Sequence, residues 1–89
     1  MQVEAQEPVS GVDGDELLLG RSSWSDDDTS LKYGWLDKNG KRARGGELPT
    51  WAIPQGILFA AREGYLDRQQ MAEIARGLID ILATQFPQS

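Results

Sequence analysis

The sequence predicts an α+β fold: a disordered acidic tail, then a β-hairpin packed on two antiparallel helices. Three observations carry that expectation. Acidic residues interrupted by Gly and Pro fill the first third, an Asn-Gly pair preceded by alternating aromatics marks a hairpin, and a capped, apolar-striped segment closes the chain. The expected organisation is a largely disordered tail over residues 1–29, holding a short strand or recognition segment, and a small α+β domain over 30–89. A third strand joins the hairpin if residues 16–24 are extended.

The tail is defined by charge. Up to residue 31, eight carboxylates (Glu4, Glu7, Asp13, Asp15, Glu16 and Asp26 to Asp28) face Arg21 alone, a net −7. Pro8, Gly11, Gly14 and Gly20 break up the segment, and most of its residues are small or polar, which predicts disorder. The exception is Glu16–Asp28, where Leu17 to Leu19 and Trp24 sit among acids. Apolar anchors steered by charge suit a segment that recognises another protein, so Leu18, Leu19, Trp24, Asp26, Asp27 and Asp28 are the candidate partner-binding residues. The structural alternative makes Leu17 to Leu19 an edge strand with Trp24 capping the core. A calcium loop is excluded, because Asp13 and Asp15 are followed by leucines, with no Gly at the sixth position and no Glu at the twelfth.

Residues 32–46 reverse the sign, with Lys32, Lys38, Lys41, Arg42 and Arg44 against Asp37, a net +4. Here Asn39-Gly40 signals a hairpin, and two registers are open. A two-residue turn pairs Trp35 with Arg44 and puts Tyr33, Trp35, Arg42 and Arg44 on one face. A type I turn from Asp37, with Gly40 left-handed in a bulge, pairs Asp37 with Lys41 and slips the ladder by one. In the first register, Tyr33, Trp35, Lys38, Lys41, Arg42 and Arg44 are candidate nucleic-acid-binding residues, rings for bases and cations for phosphates. An ordinary core face with arginines along its rim is the competing expectation.

The helical half carries a net −2. A helix is expected to begin near Pro54, bury Ile57, Leu58 and Ala61, and stop at Gly64. Asp67 and Gln70 have the spacing of a capping box, and Leu66 and Met71 that of a hydrophobic staple. Met71, Ile74, Ala75, Leu78, Ile81, Leu82 and Phe86 then recur on one face of a five-turn helix. Ile79 widens that stripe, enough for a neighbouring helix and, on its other side, a second copy of the chain or another protein; contact of Ile79 with the sheet is the competing expectation, and a homodimer is one of these options. Gly77 in mid-helix is expected where another helix comes close.

Chemistry is narrowed by what is missing. With neither Cys nor His, there is no thiolate nucleophile, no imidazole base and no Cys/His zinc site. Neither a cofactor nor a metal is expected. A chain of 89 residues buries only roughly 60% of its surface and has little room for a pocket. The longest apolar run, Ile57 to Ala61, is far short of a membrane span, and the N-terminus lacks the pattern of a secretory leader, so a cytoplasmic protein is expected. The functional expectation is a small non-enzymatic regulator, an inhibitor, adaptor or immunity-type factor, that binds another protein stoichiometrically through the tail and an apolar helix face. The alternative is a nucleic-acid-binding regulator using the hairpin. The net charge of −5 weighs against it, because phosphate attraction dominates such binding.

Overall fold

The computed structural model describes residues 1–86 and shows an antiparallel sheet of five strands followed by two helices, an α+β fold. The strands are β1 (Gln2–Pro8), β2 (Glu16–Ser22), β3 (Ser25–Leu36), β4 (Arg42–Arg44) and β5 (Leu48–Pro49). A 3-10 turn, Thr50–Ala52, leads into α1 (Ile53–Arg62), and α2 spans Arg68–Gln85. The chain divides into two compact units, one from Met1 to Ile53 and one from Pro54 onward.

In the first unit the strand order is β1-β2-β3-β4, with the two-residue β5 on β3 as well. The segment expected to be a disordered tail is therefore corrected: it carries β1, β2 and the start of β3, and β3 runs straight through the expected boundary at residue 30. Of the residues that suggested disorder, Pro8, Gly11 and Gly14 serve the β1–β2 turn, and Gly20 lies within β2. Pro8 ends β1, and Gly11 and Gly14 adopt positive φ in the link to β2, which is closed by the Val9 N–H to Asp15 O bond. Between them the leucine run of β2 pairs on both sides and supplies the centre of the sheet.

Register decides which side chains share a face. Leu18 pairs with Gln6 and Lys32, Gly20 with Val3 and Ser30, and Glu16 with Gly34. This face holds what is buried: Leu18 and Ser30 are fully so, and the Ser22 and Ser30 hydroxyls are bonded to each other at 2.6 Å. A Cβ on Gly20 would lie 1.9 Å from the Gln2 carbonyl oxygen, so only glycine lets β1 lie this close. Leu18 is the one buried hydrophobic side chain among the described residues.

The β3–β4 hairpin takes the second of its two registers. Leu36 pairs with Arg42, Trp35 with Ala43 and Gly34 with Arg44. The Asp37 N–H donates to Lys41 O at 2.8 Å, and Gly40 sits at φ 79°. The Asp37 carboxylate decides between the turns, because its Oδ1 accepts the N–H groups of Asn39 and Lys41, both at 2.9 Å. A two-residue turn would forgo those bonds.

In the second unit, α1 ends in a Schellman motif: the Tyr65 N–H reaches Ala60 O at 2.9 Å and Gly64 N–H reaches Ala61 O at 3.2 Å, with Gly64 at φ 83°. The capping box at the start of α2 is complete. Asp67 Oδ1 accepts from the Gln70 N–H at 2.8 Å, and Gln70 Oε1 accepts from the Asp67 N–H at 3.0 Å. Where these helices differ from expectation is burial. No residue of α1 or α2 is fully buried, and the two make no extensive contact with each other: Ile57, Ala61 and Ile74 are half-buried, whereas Leu58 and the rest of the large apolar residues of the α2 stripe are exposed. Nothing lies within 4 Å of a Cβ placed on Gly77, so no helix approaches there.

Candidate protein-binding surface

Opposite the buried face, the sheet presents a second set of side chains. Leu17 faces Tyr33, Leu19 faces Ala5 and Leu31, Leu31 faces Leu48, and Trp35 faces Ala43. Alternation along each strand puts all of them on one side. Leu19, Tyr33, Trp35 and Leu48 are each about two-fifths exposed, and Leu17 and Leu31 are half-buried between them. A shallow depression lined by Ala5, Glu7, Leu17, Leu19 and Leu31 runs across β1, β2 and β3. The result is one apolar patch with aromatic members, spanning five strands.

Hydrogen bonds at its margins hold the surface in place. The Tyr33 hydroxyl donates to the Asp15 carboxylate, tying β3 to the start of β2. That bond to Asp15 raises the Tyr33 pKa above its ordinary value, and desolvation and the Asp15 charge add to the effect. At the other end Glu47 clamps the β2–β3 turn, accepting the Ser23 N–H at 2.9 Å and the Ser23 hydroxyl at 2.5 Å. The Ser23 hydroxyl is the main reason the Glu47 pKa is lowered. Thr29 and Thr50 share a hydroxyl hydrogen bond at 2.5 Å, which fixes the chain leaving β5.

The expected partner-binding residues separate in the structure. Leu18 is fully buried on the opposite face and cannot meet a partner, because its place in β2 alternates with the two leucines that do face out. Leu19 lies in the patch. Trp24 is half exposed in the β2–β3 turn, where its indole N–H donates to Asp28 at 2.7 Å. Asp26 to Asp28 form a bulge, three residues of β3 with no counterpart on β2. Asp26 and Asp27 are exposed there, and the Asp27 N–H donates to the Ser25 hydroxyl at 3.1 Å.

The nucleic-acid candidates are divided more sharply. Tyr33 and Trp35 belong to the open apolar face, whereas Arg42 and Arg44 point to the other side, opposite Leu36 and Gly34. Arg42 is also engaged, donating to Gly14 O at 2.7 Å and lying 3.6 Å from Glu16. Lys38 and Lys41 are exposed in the turn. The register thus parts the rings from the guanidinium groups that a base-and-phosphate platform needs together.

Leu17, Leu31 and Leu48 were not among the candidate binding residues, although Leu17 belongs to the leucine run noted in the sequence. The signal for Leu31 was present, since Leu31, Tyr33 and Trp35 alternate, but Leu48 joins the patch only through its pairing on β3. Among the described residues no group of His, Cys, Asp and Glu is placed to hold a metal ion, and no helix is long and apolar enough to cross a membrane. Comparison with family models, curated proteins and solved structures finds no match for this chain.

Proposed function

We propose that this chain is a small non-enzymatic binding protein that docks another protein, one to one, on the open face of its sheet. The supporting observation is that face itself: Leu17, Leu19, Leu31, Tyr33, Trp35 and Leu48 in one patch, the four outer members about two-fifths exposed. An apolar patch containing aromatics and rimmed by polar groups is how an interaction surface is built, since rings supply large contact area at low entropic cost. The margin is acidic, with Glu7 and Asp15 beside the patch, and Met1–Ile53 carries ten carboxylates against six basic side chains. The partner is therefore a protein with an apolar patch bordered by Lys and Arg, drawn in by charge and held by burial.

A photoreactive phenylalanine at Leu19 tests the proposal, with the same group at Asn39 in the exposed turn as control. In source cells Leu19 should yield one discrete adduct with another protein and Asn39 none. The purified partner should bind one to one by calorimetry, and Leu19→Glu should weaken binding about 30-fold or more with an unchanged melting curve. Scattered adducts, or full affinity in Leu19→Glu, would sink the reading.

A further inference from the structure

We infer that the helical unit is a self-association module, which buries the apolar faces of α1 and α2 against those of a second copy. The inference is independent of the proposed function, because it concerns the other unit and another partner. Leu58, Phe59, Leu78, Ile79, Leu82 and Phe86 are all more than half exposed. With Met71 and Ile81 they present about 800 Å² of apolar surface, the amount each partner contributes to a standard stable interface.

Charge selects a second copy as the occupant. Of the net −5, the residues from Pro54 onward contribute only −1, from Arg62, Arg68 and Arg76 against Glu63, Asp67, Glu73 and Asp80. Two such units meet with almost no net repulsion. Two sheet units would bring −4 against −4, and their free edge is guarded: β1 carries Glu4 at an irregularity in its pairing, then Glu7 and Pro8. A two-fold pair makes each apolar face its own complement, without a separate partner. The polar side of α2, with Glu73, Gly77, Asp80 and Thr84, stays in water.

The full chain in sedimentation equilibrium decides this. Over about a hundredfold range of concentration the mass should approach twice 9.8 kDa, and Ile79→Glu with Leu82→Glu should return it to one chain. If the double variant also loses helical ellipticity, the wild-type helical signal should melt at a midpoint that rises with concentration, as an obligate dimer requires. Leu19→Glu, which removes the sheet patch, should leave the dimer intact, so failure here and failure of the proposed function are told apart. A wild-type chain at single-chain mass throughout, or a dimer unaffected by the double variant, overturns the inference.

Discussion

The two units are stabilised in opposite ways. The sheet unit makes nearly every long-range pairing in the chain and buries Leu18 and the Ser22–Ser30 pair. The helical unit has the better local signals, a full capping box and a Schellman stop, yet fully buries no residue and only half-buries Ile57, Ala61, Leu66 and Ile74. Good caps determine where a helix starts and stops, and they do not supply the packing that makes it persist, since most helical stability comes from burying an apolar face. The sheet holds by its own pairing, while the helices hold their caps with most of their large apolar side chains exposed.

That contrast can be probed within one molecule. All three tryptophans, Trp24, Trp35 and Trp51, lie in the sheet unit, so fluorescence follows the sheet and ellipticity at helical wavelengths follows the helices. The largest effect is expected from Leu18→Ala, which should cost the sheet unit about 2–5 kcal/mol in urea unfolding followed by tryptophan fluorescence. A loss below about 1 kcal/mol would show that Leu18 is not the centre of the fold. Next, Gly77→Ala should stabilise α2 by about 1 kcal/mol, seen as a higher helical melting midpoint with unchanged fluorescence. Destabilisation would mean that another helix does approach there.

The smallest effect concerns pH. Folding lowers the Glu47 pKa, so this carboxylate adds stability above its ordinary value of 4.5, and the contribution fades as pH falls through the lowered folded value. Acid titration of fluorescence should show that loss in the wild type, with a weaker acid dependence in Ser23→Ala. Identical acid limbs would remove the clamp from the account.

Much of the local structure was legible in the residues. Gly64 as a helix stop, Asp67 and Gln70 as a box, and Asn39-Gly40 as a hairpin turn are short-range patterns whose partners lie within a few positions. The faces were not legible. Whether Arg44 sits beside Trp35 depended on a choice between two turns, settled by Asp37 accepting two N–H groups, and a one-residue slip reassigns every side chain. Leu18 and Leu19 are neighbours of the same type, and pairing with β1 and β3 sends one to the core and the other to the open patch. The candidate surface was half visible, as aromatics and leucines at alternate positions, but attached to different roles.

By itself the sequence determined the hairpin at Asn39-Gly40, the two helices with their caps and stop, the uneven charge and the absence of Cys and His chemistry, all properties of residues close in the chain. Only the tertiary structure decided that the acidic segment forms strands, that rings and arginines part to opposite faces, and that the helix stripe stays open. Those outcomes depend on pairing across the sheet and on how much apolar surface the chain can bury within itself.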